Sequence, residues 1–263
     1  MGETRALPER IIDIHNHLRP GRDVADVLAL MDEHHVERML LLGTPGAPES
    51  RNDAVLRAVR AHPDRFAGGA YADPREGSAA VDEVHRYHAE GFRVVKLFPN
   101  FGYYPDDDAL RPFFDAVAEL GMAVLSHCGW LSPKPGVAYA SYYSHPGRFE
   151  KLIRIYPETV FILAHMGGIA GFLETVMLTT RTPNAYADTA PGQGLWVLEA
   201  AGPLVGAVPP GKLLFGLDTY DYAGLLPRYL GALTKAGFGE HLDAIFYTNG
   251  RELLQRIGAM APA

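Results

Sequence analysis

The chain has 263 residues, of which 48% are hydrophobic and 21% are charged, a composition typical of a globular domain with a large core. Its formal net charge of −7 argues against a general nucleic-acid binder, because binding to phosphate groups needs a basic surface. A single cysteine, Cys128, excludes an intrachain disulfide framework.

The sequence gives no sign of a membrane or secreted protein. It has no apolar run of about 18 residues that could cross a bilayer. The polar stretch 1–9 lacks an apolar signal region, so we expect no secretory signal and a reducing, cytoplasmic location. We expect a small-molecule substrate as the partner, neither nucleic acid nor membrane, and leave a homo-oligomer open.

Short apolar runs recur along the whole chain and predict eight β-strands. The third and seventh are the weakest, the third because of its glycines. In chain order the runs are Ile11–His15, Arg38–Gly43, Phe66–Tyr71, Arg93–Phe98, Ala123–His127, Val160–His165, Ala185–Asp188 and Lys212–Asp218.

Segments with helical spacing of apolar residues separate these runs. They are Val24–His34, Asp53–His62, Ala79–Glu90, Asp108–Leu120, Pro146–Tyr156, Ala170–Thr180, Leu195–Ala200, Ala223–Ala236 and Arg251–Ile257. Strands that alternate with helices favour a parallel sheet, because parallel strands need crossover connections. Eight such units in a chain of this length predict an α/β fold, a single-domain (β/α)₈ TIM barrel over residues 1–263.

The most informative motif is His15-Asn16-His17 at the end of the first run. Side chains on a strand alternate between its two faces, so both histidines point the same way, about 6.6 Å apart along the backbone. Two imidazoles at that spacing can converge on one metal ion. Burying two imidazoles without hydrogen-bond partners costs free energy, and a bound metal ion would provide a partner for their nitrogens.

Other ionisable residues lie near the ends of later runs, where the active sites of such barrels are found. They are Lys96 on the fourth strand, His127 on the fifth, His165 on the sixth and Asp218 on the eighth. Imidazole and carboxylate ligands suit zinc, manganese, iron, cobalt or nickel. A site with an open position can activate water, while a nearby carboxylate takes its proton and a histidine polarises the substrate.

These segments resemble the amidohydrolase superfamily of metal-dependent barrels, in particular its amidohydrolase-related branch with aminocarboxymuconate-semialdehyde decarboxylase. The likeness covers nearly the whole chain. It is carried by the segments IIDIHNH, GFRVVKLFP, AVLSHCG, FILAHMGG, LLFGLDTYDY and TNGRELLQRIG. The chain is shorter than the decarboxylases and lacks an obvious counterpart of their larger loop insertions, which leaves the substrate open.

The resemblance implies roles for the strand-end residues. His15, His17, His127 and Asp218 match the metal ligands, and Asp218 also handles the proton of the nucleophilic water. His165 matches a catalytic, substrate-polarising histidine of members with one metal. We expect one divalent ion, with zinc first; in the alternative, Lys96 is carbamylated and bridges two ions.

Loop residues provide candidate substrate contacts. Besides Lys96, we assign Arg19, Tyr103 and Trp130 to substrate binding, because a cation can pair with a carboxylate and aromatic rings can form a pocket wall. The loops after the fourth and fifth strands also hold Tyr104, Lys134, Tyr139, Tyr142 and Tyr143, for which packing between loops is the competing interpretation. Asp13 shares the inward face with His15 by strand periodicity, where it orients a ligand or belongs to a polar layer.

The expected function is a metal-dependent hydrolase. Metal-activated water attacks an amide, ester or lactone carbonyl of a small molecule, Asp218 is the general base, and His165 stabilises the oxyanion. The alternative is a metal-dependent, non-oxidative decarboxylase of a small unsaturated or aromatic acid, with the same ligands. The third interpretation, an inactive barrel that serves as a binding partner, is weakened by the presence of so many ionisable groups.

Overall fold

Eight parallel strands form one sheet in which each strand pairs with the next one in the sequence. The computed structural model describes residues 7–19, 21–46, 52–131 and 140–261, so residues 1–6 of the polar N-terminal stretch lie outside it. The strands are β1 (Ile11–Asn16), β2 (Val36–Leu42), β3 (Phe66–Tyr71), β4 (Val94–Leu97), β5 (Ala123–Ser126), β6 (Phe161–Leu163), β7 (Ala185–Asp188) and β8 (Leu213–Leu214). The predicted TIM barrel is confirmed.

Helices occupy the crossovers between strands, and two more follow the last strand. Those of the described residues are α1 (Val24–Glu33), α2 (Asp53–Ala61), α3 (Ser78–Ala89), α4 (Arg111–Glu119), α5 (Glu150–Ile155), α6 (Gly168–Arg181), α7 (Gly194–Ala201), α8 (Tyr222–Leu233) and α9 (Asn249–Arg256). Each packs an apolar stripe against the sheet, as α2 does with Val55, Leu56 and Ala58.

The barrel closes where the segment after β8 meets β1. The backbone N–H of Ile14 donates to the Phe215 carbonyl at 3.0 Å, and that of Asp218 donates to the His15 carbonyl at 2.6 Å. Regular pairing of β8 with β7 covers only Leu213 and Leu214. The closure therefore places Asp218 beside the end of β1, where the two histidines of the motif lie.

The core has two layers because strand side chains alternate between faces. The inner layer includes Ile12, Ile14, Leu40, Leu42, Val94, Leu125, Ile162 and Leu214, joined by Leu253 and Leu254 of α9. The layer between strands and helices includes Met39, Leu41, Val95, Leu97, Val124 and Leu163 together with the apolar helix faces. Because both faces of the sheet are covered, the strand sequences are apolar throughout instead of alternating between apolar and polar residues.

Strands β6 and β8 end earlier than predicted. β6 stops at Leu163, and His165 follows in a left-handed conformation with φ 56°. β8 stops at Leu214, well before Asp218, which has φ 47°. In both places the backbone leaves the sheet ladder, so the side chains are placed by turns rather than by strand alternation.

Helix ends also differ from the sequence prediction. The predicted helices at Asp108 and Pro146 begin as the 3₁₀ turns Asp108–Leu110 and Pro146–Phe149. The helix predicted to reach Ala236 is α-helical only to Leu233 and continues as a π-helical turn. No helix within the described part of the chain is long and apolar enough to cross a bilayer.

Candidate metal centre

The two histidines of the motif lie at the end of β1 with their rings fixed by different partners. His15 and His17 are both buried, and their ring centroids are 5.4 Å apart. The Nδ1 of His17 lies 2.9 Å from the Leu42 carbonyl. Because a carbonyl only accepts, Nδ1 carries the proton and Nε2 keeps its lone pair.

Asp218 completes a cluster with these histidines. Its Oδ1 lies 3.7 Å from His17 Nε2, and its side chain is 24% exposed. Ligand atoms of His15, His17 and Asp218 all lie within 4.8 Å of one another. Arg19 donates to the Asp218 carbonyl at 2.8 Å and approaches its carboxylate at 3.4 Å. The predicted first-strand and eighth-strand residues are thus brought together.

His127 and His165 form a pair beside this cluster. Nδ1 of His127 lies 3.1 Å from Nε2 of His165, and Nδ1 of His165 lies 3.2 Å from the Ala190 carbonyl. His165 therefore donates from Nδ1 and accepts at Nε2, so His127 donates from its own Nδ1. This leaves the buried Nε2 of His127 without a hydrogen-bond partner among the described residues. His127 does not belong to the three-residue cluster.

The donor set fits a divalent metal ion. Imidazole nitrogens and a carboxylate oxygen are ligands of zinc and the other borderline transition metals. An unpaired buried nitrogen such as Nε2 of His127 is costly unless a ligand takes its lone pair. The three clustered residues can hold the ion, and His127, which follows β5 on the opposite side of the barrel from β1, could supply a fourth donor.

Burial keeps these groups in the form that binds metal. Burial lowers the pKa of His17 to about 3, and it also lowers the pKa of His15, His127 and His165 below the ordinary value. The rings are therefore neutral at pH 7, and neutral imidazole is the ligating form. Burial also lowers the pKa of Lys96 to about 8, which leaves its ammonium mostly protonated at pH 7.

Lys96 lies inside the site. Its Nζ is 3.1 Å from Nε2 of His15, so the ammonium donates to the same lone pair that would face a metal. Nζ also lies 4.9 Å from the Phe98 ring centroid. The predicted placement of Lys96 among the ligands agrees with this geometry, and its role in substrate binding stays a prediction.

The other predicted substrate residues are placed differently. Arg19 reaches the site through Asp218. Tyr103 is buried in the layer between strands and helices, with a hydroxyl that has no hydrogen bond within the described ranges. Trp130 is 63% exposed. The predicted candidates Lys134 and Tyr139 fall within 132–139, outside the described residues.

The carboxylate of Asp13 contacts the backbone of His15 and does not orient its ring. The register of β1 against β2 shifts between Asp13 and Asn16, so strand periodicity fails here. The carboxylate accepts from the backbone N–H of His15 at 3.0 Å and from the Tyr222 hydroxyl of α8 at 2.6 Å. Asp13 therefore anchors the end of β1 to the helix layer rather than orienting a ligand ring.

Two residues of the site were missed by the sequence interpretation. Asp188, at the end of β7, contacts Nδ1 of His15 at 2.8 Å. Its position at a predicted strand end was a usable signal. Phe98 stacks on His127 with ring centroids 5.8 Å apart and lies 6.2 Å from His17, so it forms an apolar wall. Nothing in the pattern separates Phe98 from an ordinary core residue.

Solved structures with a similar fold include enzymes of two kinds. A 2,6-dihydroxybenzoate decarboxylase from Rhizobium is 20% identical, with a TM-score of 0.69 over 94% of this chain and 99% of that one. A probable 2-pyrone-4,6-dicarboxylic acid hydrolase from Acinetobacter baumannii is 18% identical, with a TM-score of 0.64 over 93% and 98%. A 5-carboxyvanillate decarboxylase from Novosphingobium aromaticivorans with bound manganese is 15% identical, with a TM-score of 0.64 over 95% and 97%.

At these identities the likeness shows a shared fold. No protein of curated function is significantly similar in sequence to this chain. The family model described as Amidohydrolase matches residues 12–256, a range that contains every residue of the candidate centre. With the eight-stranded barrel and the cluster of His15, His17 and Asp218, this match confirms the resemblance, and the chain belongs to the amidohydrolase family.

Proposed function

We propose that this chain is a metal-dependent hydrolase of a small molecule that carries an amide, ester or lactone carbonyl. The observation that carries the proposal is the cluster of His15, His17 and Asp218 at the closure of the barrel. A divalent ion held there, zinc first and manganese next, would lower the pKa of a bound water to about 7. One ion suits the three clustered ligands, with His127 as the fourth donor.

Asp218 has the placement of a general base. Its carboxylate is partly exposed, while the two histidines beside it are buried. A water between Asp218 and the carbonyl carbon can pass its proton to the carboxylate as the carbon–oxygen bond forms. The guanidinium of Arg19 lies 3.4 Å from the same carboxylate and can hold an anionic group of the substrate next to it.

His165 is proposed to polarise the carbonyl or to protonate the leaving group. In the free protein both of its ring nitrogens are engaged, Nδ1 with Ala190 and Nε2 with His127. Its role therefore requires the bond with His127 to open when substrate binds, so that Nε2 faces the reacting atoms. Nε2 of the neutral ring carries a lone pair, so it must first receive the proton that Asp218 takes from the water. The imidazolium that results can then donate that proton to the carbonyl oxygen or to the leaving group.

The test is metal-dependent turnover. The protein, stripped with a chelator and then reloaded with Zn²⁺ or Mn²⁺, is assayed on panels of lactones, esters and amides. We expect activity only after reloading, and a loss of at least a hundredfold in Asp218→Asn, with the exposed His85→Gln as a matched control that keeps full activity. Turnover that is indifferent to chelation and to Asp218→Asn would contradict the proposal.

A non-oxidative decarboxylase is the second candidate. The buried Lys96 ammonium beside His15 favours it, because a buried cation can hold the carboxylate that is to be lost. Two of the three similar solved structures named above are decarboxylases of aromatic acids. A panel of hydroxylated benzoic acids distinguishes the two: release of carbon dioxide supports the decarboxylase, whereas a hydrolysed carbonyl product supports the hydrolase.

A further inference from the structure

Asp188 is fully buried and accepts three hydrogen bonds. Oδ2 faces Nδ1 of His15 at 2.8 Å, and Oδ1 accepts from the backbone N–H groups of His165 and Ala190, both at 2.9 Å. One carboxylate therefore joins a candidate metal ligand from β1 to the turn that carries the candidate catalytic histidine.

The contact with His15 fixes where that ring carries its proton. The Lys96 ammonium can only donate, so Nε2 of His15 must accept at 3.1 Å. The proton of the neutral ring then lies on Nδ1, where Asp188 accepts it. The lone pair on Nε2, which a metal needs, is therefore held toward the centre of the site.

The contact with the β6–α6 turn fixes His165. This residue has φ 56°, a left-handed conformation that is unfavourable for most residues with a side chain. Asp188 accepts its backbone N–H, and the carbonyl of Ala190 accepts from its ring Nδ1. Asp188 also accepts from the backbone N–H of Ala190. It therefore holds both the backbone of His165 and the residue whose carbonyl accepts from the His165 ring.

We propose that Asp188 is the positioning residue of this centre: it sets the tautomer of His15 for metal binding and holds His165 in the strained turn beside it. The metal part of this inference rests on the proposed function. The tautomer part concerns the free protein and stands without it.

Replacement by asparagine distinguishes this role from ordinary buried packing. Asparagine has nearly the same shape but only one acceptor oxygen. That oxygen satisfies the two backbone N–H groups only if the amide NH₂ points at His15. His15 Nδ1 must then accept, so the proton moves to Nε2 and the ligand lone pair is lost from the site. The Lys96 ammonium, which donates to Nε2 in the wild type, must turn away from that nitrogen.

The first experiment uses ¹⁵N-labelled, metal-free protein and long-range ¹H–¹⁵N spectra of the imidazoles. We expect His15 to be protonated on Nδ1 in the wild type and on Nε2 in Asp188→Asn. A wild-type His15 protonated on Nε2 would overturn the inference, and this readout needs no variant to fold.

The second experiment titrates Zn²⁺ against a chromophoric chelator. We expect affinity to fall about 10- to 100-fold in Asp188→Asn, the range for loss of a residue that orients a metal ligand. The control is Thr179→Val, which removes a buried hydroxyl of α6 bonded to the Thr175 carbonyl away from the site and should leave affinity within about twofold. Equal affinity in wild type and Asp188→Asn, with an unchanged tautomer, would contradict the role of Asp188.

The same data separate this inference from the proposed function. If the wild type binds no Zn²⁺ but shows the Nδ1 tautomer that Asp188→Asn reverses, the metal-dependent function fails and the positioning of His15 stands. If the wild type turns over substrate with metal and Asp188→Asn does so equally well, the function stands and the inference fails.

Discussion

Four buried histidines of the centre all carry their proton on Nδ1. Their acceptors are the Asp188 carboxylate, the backbone carbonyls of two other residues, and Nε2 of His165. Each ring therefore keeps its lone pair on Nε2, and that of His165 accepts from His127. Residue type and spacing predict which side chains gather there. The acceptors could not be predicted in the same way, because two of them are backbone carbonyls that only the folded chain brings near.

The role of Lys96 differs between a centre with one metal ion and a centre with two. Its Nζ contacts His15, and within the described residues the three-ligand cluster does not include it. We therefore expect one metal ion per chain in the wild type and also in Lys96→Met, measured by plasma mass spectrometry after dialysis. Two ions per chain in the wild type, reduced in Lys96→Met, would instead support a carbamylated bridging lysine.

His165 should affect turnover but not metal binding. Its ring nitrogens bond to Ala190 and His127 rather than to the His15–His17–Asp218 cluster. For His165→Asn we expect kcat to fall about 10²- to 10⁴-fold, the usual contribution of a general acid or base, with metal affinity within a few-fold of wild type. A large loss of metal affinity would show instead that His165 is a ligand.

At the scale of elements, the apolar runs predict all eight strands of the barrel, but strand periodicity fails at the strand ends where the candidate site lies. Even the glycine-containing β3 and the short β7 form where their apolar runs predict. The shift in register after Asp13 and the left-handed turns at His165 and Asp218 break that periodicity. Side chains alternate between the two faces of a sheet only along a regularly paired strand. That pairing ends where the chain turns to direct these side chains into the site.

Gly216 tests how tightly the closure holds His15. A Cβ at Gly216 would lie 2.7 Å from the His15 Cβ, which is closer than packed atoms allow. We expect Gly216→Ala to lower the free energy of unfolding by about 1–3 kcal/mol and to weaken metal binding, because β1 must move away from the segment after β8.

The matched control is Gly211→Ala just before β8, where no non-neighbouring atom lies within 4 Å of the added Cβ. It should leave metal binding unchanged and stability within about 0.5 kcal/mol. Urea unfolding and a Zn²⁺ competition titration measure both quantities. If Gly216→Ala behaves like Gly211→Ala, the closure is more tolerant than its geometry indicates.

At the scale of the whole molecule, the barrel buries ionisable groups whose protonation differs between the folded and unfolded chain. Burial lowers the pKa of His15, His17, His127 and His165, whereas it raises the pKa of Asp13 to about 6 and also raises that of Asp188. The histidines favour unfolding as the pH falls below 6.5, because only the unfolded chain then binds their protons. The two carboxyl groups act in the opposite direction above pH 3.8.

Four histidines outweigh two carboxyl groups, so the metal-free protein should lose stability between pH 6.5 and about 4. The expected loss in the free energy of unfolding is on the order of 3 kcal/mol per pH unit, given about 1.4 kcal/mol per proton. Urea unfolding at pH 7, 6 and 5 measures the slope.

In His17→Gln one group with a folded pKa of about 3 is removed, so the slope of the free energy of unfolding against pH should fall by about 1.4 kcal/mol per pH unit. A stability that is flat from pH 7 to pH 5 in the wild type would mean that these histidines are not held neutral in the folded barrel.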